Sequence, residues 1–332
     1  MVSRSSQRVV GSRRSSVAKA SSMDTCIVSP AWLAERLSDP NIKVIDGTWY
    51  HPVGHAGKDA LTEHLASRIP GAKLFELDGV ADLTHSVPHM LPGDAVFSAT
   101  MDALGITADS TVVVYDRFSS LYSSPRVWWT FKVFGHKSVL VLEGVLPAWQ
   151  GLGLEMDNSS ISQEEVLIQS RQQSAAAMLA GRTDGPHQVP AAAHWPRALN
   201  TVRTKEALLS NIGSAAELVV DARSLGRFKG VDAEPWPGLA CGHIPGSKNV
   251  PFQAVQSGPG LKPATELRQV FADAGVDLEK DGSRVVASCG SGLTACILAL
   301  AVHSCTGQII PVYDGSFAEW GQPALGLPVE KS

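Results

Sequence analysis

The chain has 332 residues, 44% hydrophobic and 18% charged, a balance that suits two globular domains, each large enough to bury its own core. Its longest apolar run, Ala295 to Val302, is far too short to cross a bilayer, which argues against a membrane span. The net charge of −4 is uneven. Residues 1–23 carry five basic and no acidic side chains, leaving 23 basic against 32 acidic in the rest and no basic stripe to hold a nucleic acid.

That leader (1–23) also holds eight serines and lacks the apolar core of a secretory signal. Basic, Ser-rich and acid-free is the composition of an organellar transit peptide, the mitochondrion ahead of the plastid. The competing readings are a disordered tail or a true start at Met23, which would leave the protein in the cytoplasm. Five scattered cysteines (26, 241, 289, 296 and 305) form no C-x-x-C pair and no zinc spacing, and suggest a reducing compartment. His85 and His89 are four apart, but Pro88 between them argues against a helical metal pair. No metal and no cofactor is expected.

From residue 24 on, the chain repeats itself. KVIDGTW (43–49) is answered by LVVDARS (218–224), RIPGA (68–72) by HIPGS (243–247), and TVVVYD (111–116) by RVVASC (284–289). SVLVLEGVLPAWQG (138–151) is answered by QIIPVYDGSFAEWG (308–321). The offset is 175 residues at Asp46/Asp221 and at Pro70/Pro245, 173 at Asp116/Cys289, and 171 at Gly144/Gly315 and Trp149/Trp320. Each copy alternates short β-branched runs with helical stretches, expected at Pro30–Leu37, Pro125–Phe134, Lys205–Asn211, Thr265–Ala274 and Ala295–Ser304. The fold class is therefore α/β: tandem domains, 24–157 and 200–330, each with a mostly parallel central sheet flanked by helices. Residues 158–199, rich in Gln, Ala, Ser, Pro and Gly, read as a linker, helical in part over 161–179.

The chemistry concentrates in Arg284 to His303. Val285–Ser288 reads as a buried strand, Cys289-Gly290-Ser291-Gly292 as a tight loop, and the Ala/Leu run from Thr294 as a helix. Glycines at 290 and 292 let successive N–H groups turn toward one point, and such a nest at a helix N-terminus favours an anion. Thiolate is the nucleophilic form of sulfur. A buried structural cysteine is the plain alternative, but it has no use for two flanking glycines at a strand-to-helix corner. In the first copy the matching position is Asp116, which cannot act as a sulfur nucleophile, so only the second copy is expected to be catalytic.

Taken together, the tandem copies with a silent first one, D-A-R with G-R-F following, G-H-I-P-G, C-G-S-G-x-T and Y-D-G-S-x-x-E-W resemble the two-domain rhodanese family over about Val28 to Val329. Within it, the C-G-S-G loop resembles that of 3-mercaptopyruvate sulfurtransferases, whereas thiosulfate-preferring members carry bulky, mostly basic residues after the cysteine. The resemblance implies Cys289 as nucleophile. It also implies Ser291, His89 (in PHMLPG) and Asp78 (in FELDG) as a proton relay that draws on both domains. Arg227 in G-R-F matches an arginine that holds the substrate carboxylate. Gly290, Gly292, Leu293 and Thr294 complete the loop that faces substrate, and Tyr122 in LYSSPRVWW touches it, while Arg126 falls on the interdomain face. A second family arginine falls at Trp236, so the carboxylate clamp is expected to be incomplete and 3-mercaptopyruvate binding weaker. Leu293 stands where Val is usual, and Ser67-Arg68 precedes I-P-G in the first copy where a histidine is usual.

The activity so implied moves sulfur from a small-molecule donor, 3-mercaptopyruvate, through a Cys289 persulfide to a thiol such as thioredoxin or glutathione, or to cyanide, and releases pyruvate. A thiosulfate sulfurtransferase is the second enzyme reading, opposed by the uncharged loop. A cysteine phosphatase needs C-x5-R, and position 295 is alanine. A non-catalytic sulfur carrier or binding module is the reading from another class. Arg223 reads as structural, paired near Asp221; Cys296 faces the core; Asp314, Glu319 and Trp320 read as capping and packing the last helix.

Overall fold

The computed structural model describes residues 26–52, 54–161, Val166, Trp195 and 197–332. The leader and most of the 158–199 stretch, with the helix expected in it, lie outside the described residues.

Two five-stranded, all-parallel sheets follow the two halves of the chain. The first comprises β1 (Ile27–Val28), β2 (Ile42–Asp46), β3 (Lys73–Leu74), β4 (Thr111–Tyr115) and β5 (Val139–Leu142), in the order β1-β5-β4-β2-β3. The second comprises β6 (Val202–Arg203), β7 (Leu218–Asp221), β8 (Lys248–Asn249), β11 (Val285–Ser288) and β12 (Val312–Tyr313), in the order β6-β12-β11-β7-β8. The two orders are the same, as the internal repeat requires. A small antiparallel pair, β9 (Gln256–Ser257) and β10 (Gly260–Leu261), is found in the second half. The central strands β4 and β11 both begin their buried stretch with consecutive valines, Val112–Val114 and Val285–Val286. Val112–Tyr115 and all four residues of β11 are buried, as befits strands covered on both faces.

Local signals place the helices. Ser29 Oγ accepts the Trp32 N–H (3.2 Å) and Pro30 opens Pro30–Ala34; Thr204 Oγ1 caps Lys205–Ser214 through the Ala207 N–H (3.3 Å). Helix Ala295–Thr306, buried along most of its length, follows β11; its counterpart Ser124–Val133 follows β4. These two helices pack on each other, with Trp128 against His303 (5.4 Å between ring centroids), and a single apolar cluster runs through both halves. Both therefore start near the line where the domains meet, which is where the carboxyl ends of β4 and β11 point. Among the described residues no helix is long and apolar enough to cross a membrane.

The departure at Arg68 has a structural consequence. Its counterpart His243 bonds Nδ1 to the Phe228 carbonyl (2.8 Å), and both positions form a backbone bridge to the end of their own domain, His243 with Glu330 and Arg68 with Asp157. Arg68, also buried, strengthens its bridge with side-chain bonds to Asp157 Oδ2 (2.6 Å) and Ser159.

Candidate active site

Strand β11 delivers Cys289 to its carboxyl end, and the chain turns at once into helix Ala295–Thr306. Cys289 is buried and its backbone is held at both ends. Its N–H donates to Ser316 Oγ (3.1 Å), and its carbonyl accepts the Phe317 N–H (3.0 Å). Gly290 O accepts the Ala318 N–H (2.7 Å), so the short helix Ser316–Trp320 acts as a back wall for the loop. Gly292 has φ +79°, and a Cβ there would stand 2.5 Å from the Asp314 carbonyl oxygen. Only glycine fits that turn.

The loop forms one side of a cleft of about 270 Å³. Cys289, Gly290, Ser291, Leu293 and Thr294 line it from the loop. Arg227, Pro235 and Trp236 line it from elsewhere in the second domain, and Trp49, His51, His55 and Tyr122 close it from the first. The nucleophile thus comes from the second domain and the walls from both. Burial and the neighbouring Cys289 raise the Tyr122 pKa, which keeps its phenol a hydrogen-bond donor.

Arg227 approaches Gly290 closely: its Nη2 is 2.8 Å from where a Cβ on Gly290 would stand. Glu234 aims it, accepting Nη2 at 2.5 Å and Nε at 3.1 Å. Glu234 also accepts Arg223 Nη1 (2.7 Å), and Arg223 grips Asp221 (2.6 Å), so four alternating charges run from the end of β7 to the cleft. Arg223 is structural, as its place in D-A-R suggests. Trp236 stands in the cleft wall, its ring tilted on His51 with centroids 5.4 Å apart.

His89 and Asp78 are brought together. His89 Nδ1 lies 2.6 Å from Asp78 Oδ1, and the Trp49 indole N–H donates to Asp78 Oδ2 (2.7 Å). Burial works to raise the Asp78 pKa, but His89 and Trp49 outweigh it and hold the carboxyl below its ordinary range. The His89 ring is buried edge-to-face against Trp49 (4.4 Å), behind the cleft wall. Its Nε2 and Ser291 Oγ share no hydrogen bond, so the third link of the expected relay is open in this structure. His89 has φ +62°, which turns its carbonyl to Arg126 Nη2; Nη1 of the same arginine reaches Asp314 Oδ1 (2.6 Å) and Gly292 O (3.4 Å).

The comparisons with known proteins point one way. A model of the rhodanese-like domain matches twice, at residues 29–152 and 204–323. The chain belongs to the rhodanese family. It is 41% identical over 307 residues to thiosulfate/3-mercaptopyruvate sulfurtransferase 2 of Arabidopsis thaliana, covering 91% of this chain and 86% of that one. It is 38% identical over 308 residues to the Arabidopsis thaliana protein named thiosulfate/3-mercaptopyruvate sulfurtransferase 1, mitochondrial, covering 92% and 78%. The crystal structure of SseA from Escherichia coli, titled as a 3-mercaptopyruvate sulfotransferase, superposes with a TM-score of 0.71 at 29% identity, covering 88% and 98%.

Within this rhodanese frame, several site residues went unrecognised in the sequence. Asp314 does not cap the last helix, whose N-cap is Gly315. Its carboxylate is committed to Arg126 and to the Leu91 N–H (2.7 Å), both in the first domain. Glu319 accepts the Tyr313 hydroxyl (2.8 Å) and Trp320 is buried, so these two do pack the helix. Ser316, which holds the Cys289 N–H, has φ +48°; its counterpart in the first domain, Val145, has φ +50°. The repeat at Gly144/Gly315 was the signal that could have found it: the same strained turn carries a hydroxyl only in the copy with the cysteine. Trp49, His51 and His55 have no motif of their own. In the first domain the loop encloses its own carboxyl group, since Asp116 Oδ2 accepts the N–H groups of Tyr122 (3.0 Å), Ser123 (3.0 Å) and Ser124 (2.8 Å).

Proposed function

We propose that this chain is a sulfurtransferase that takes sulfur from 3-mercaptopyruvate on Cys289 and passes it to a thiol, with 24–157 and 200–330 as its domains and 158–199 as their linker. The observation that carries the reading is Cys289 at the head of helix Ala295–Thr306, in an uncharged Gly-Ser-Gly-Leu-Thr loop beside one aimed arginine. Thiosulfate, a dianion, gains from cationic loop residues that are absent here. A three-carbon keto acid needs one anchored carboxylate and a polarised carbonyl instead.

In the first half-reaction the Cys289 thiolate attacks the donor sulfur. The S–S bond forms as the donor C–S bond breaks, leaving a Cys289 persulfide and the enolate of pyruvate. The enolate takes a proton and leaves as pyruvate. Arg227 holds the carboxylate, and the loop N–H groups steady the anionic sulfur. Asp78 orients His89, and Ser291 is the hydroxyl we assign to carry the proton. Catalytic hydrogen bonds of this kind close when substrate binds. In the second half-reaction a thiolate acceptor attacks the outer sulfur and Cys289 departs as thiolate, so ping-pong kinetics are expected. Gly290, Gly292, Leu293, Thr294 and Tyr122 shape the donor site.

The acceptor is a low-molecular-weight thiol such as glutathione, a protein thiol such as thioredoxin, or cyanide. The Ser/Arg-rich leader and the mitochondrial relative favour a mitochondrial address. Turnover measured side by side with 3-mercaptopyruvate and thiosulfate tests the donor. Pyruvate release with 3-mercaptopyruvate at least tenfold above the thiosulfate rate is expected, and the reverse order overturns the assignment. Mass spectrometry after donor treatment is expected to find one extra sulfur atom on Cys289 and none in Cys289→Ser, which releases no pyruvate.

A further inference from the structure

Asp116 stands where the second copy has its nucleophile, and its backbone is held in the same way. The Leu146 N–H donates to the Asp116 carbonyl (3.0 Å), as the Phe317 N–H does to that of Cys289 (3.0 Å). The side chains differ in what surrounds them. The loop after Asp116 is longer, reaching its helix at Ser124, and it closes on the carboxyl group instead of opening to a cleft. Oδ2 accepts the Ser124 hydroxyl (2.7 Å) besides the N–H groups of Tyr122, Ser123 and Ser124, and Oδ1 accepts the Phe118 N–H (3.3 Å). Asp116 itself is fully buried. A buried carboxyl group with this many donors is a fixed point of its domain.

What it fixes lies in the cleft. Tyr122, whose N–H it holds, is one of the lining residues. Ser123 passes the constraint on. Its hydroxyl caps no N–H of the helix that follows, and instead accepts the backbone N–H of Trp49 (3.1 Å). Trp49 lines the same cleft, and its indole N–H holds Asp78, the partner of His89. We infer that Asp116 is a positioning residue for the donor site: its carboxyl group holds Tyr122 directly and Trp49 through Ser123, and so sets the first domain's wall of the cleft. The copy without a nucleophile keeps the nest of its loop, filled by its own carboxyl group, as a support for the copy that has one.

This rests on the sulfurtransferase reading, and the experiment separates the two. The full chain is assayed with 3-mercaptopyruvate, with pyruvate as product inhibitor, as wild type, Asp116→Ala, Asp116→Asn and Ser123→Ala, and each is also unfolded in urea. Asn keeps one carbonyl oxygen for the three N–H groups. Ser123→Ala leaves the carboxyl group in its cradle and removes only the link to Trp49. A residue that serves stability alone lowers the urea midpoint and the amount of active protein, while the molecules that remain folded keep their KM. Asp116→Ala is expected to raise both the KM for 3-mercaptopyruvate and the inhibition constant of pyruvate about tenfold, and Ser123→Ala about threefold, as the wall shifts against the bound keto acid. Asp116→Asn is expected to recover most of both. Unchanged constants in Ser123→Ala, unchanged constants in Asp116→Ala with a lowered midpoint, or an Asn variant as poor as Ala each overturn the inference and leave the sulfurtransferase reading standing. Should Asp116→Ala not fold, the constants of Ser123→Ala decide. A wild-type protein that releases no pyruvate overturns the sulfurtransferase reading, and the inference with it.

Discussion

Gly290 and Gly292 flank the same serine yet are glycine for different reasons. At Gly292 the backbone is left-handed, and a Cβ would meet the Asp314 carbonyl at 2.5 Å and Arg126 Nη1 at 3.0 Å, a rigid corner with nowhere to move. At Gly290 the only close group is Arg227 Nη2 at 2.8 Å, the end of a flexible side chain. Gly292→Ala is therefore expected to displace the loop, cutting kcat more than tenfold and destabilising the protein by about 1–3 kcal/mol. Gly290→Ala is expected to push Arg227 aside, raising KM for 3-mercaptopyruvate with stability within about 0.5 kcal/mol of wild type. Steady-state kinetics and urea unfolding on the two variants check the contrast; equal effects in both would show that the loop is not shaped in this way. The residues at this scale divide by how local their signals are. Cys289, Ser291 and Arg227 sit in compact motifs, so the sequence displays them. Ser316 acts on a group supplied by another part of the chain, and a left-handed serine after a glycine looks like any turn.

Strands β2 and β7 end in the same residue and treat it differently. Asp46 accepts from His64 Nδ1 (2.9 Å), Arg117 Nη2 (2.7 Å) and Thr48 Oγ1 (2.5 Å), whereas among the described residues Arg223 is the cationic side chain that grips Asp221. Burial works to raise the Asp46 pKa, but His64, Arg117 and Thr48 pull it down to about 2. The folded value lies below the ordinary carboxylate value of about 3.9. Stability from this group is thus fully present above about pH 4 and lost as pH falls through about 2, a change of about 2.5 kcal/mol. Urea midpoints measured from pH 5 to pH 2 are expected to fall less steeply in Asp46→Asn. At pH 7 that variant is expected to be less stable by about 3 kcal/mol, since Arg117 loses its buried counter-charge. An unaltered pH slope would mean that the network does not hold the carboxylate. At this scale the repeat made the fold readable, because β-branched runs such as 112–115 and 285–288 are long and buried enough to stand out. The two-residue strands β1, β3, β6, β8 and β12 have no periodicity to read, and helix Asp94–Leu104 starts at Gly93 with no side-chain cap to announce it.

Across the whole molecule, one buried arginine ties the domains to the chemistry. Arg126 stands on the first domain's helix and bonds His89 O in its own domain, and Gly292 O and Asp314 Oδ1 in the other. Asp314 returns the connection by accepting the Leu91 N–H. The loop that bears Cys289 and the loop that bears His89 are thereby fixed to the same guanidinium. Burial works to lower the Arg126 pKa, but Asp314 outweighs it and keeps the charge in place. Asp314→Asn keeps the shape and removes the counter-charge, which for a buried pair costs about 3–5 kcal/mol. Because the apolar cluster runs through both domains, the wild type is expected to unfold in urea as one unit. The variant is expected to unfold in two steps, the interface first, with kcat lowered as His89 and Cys289 lose their common reference. Tryptophan fluorescence follows both steps, since Trp128 and Trp129 report the interface helix and Trp320 the second domain's own core. A single transition at the wild-type midpoint would show that apolar packing alone aligns the two halves, and that the arginine is a passenger at their boundary.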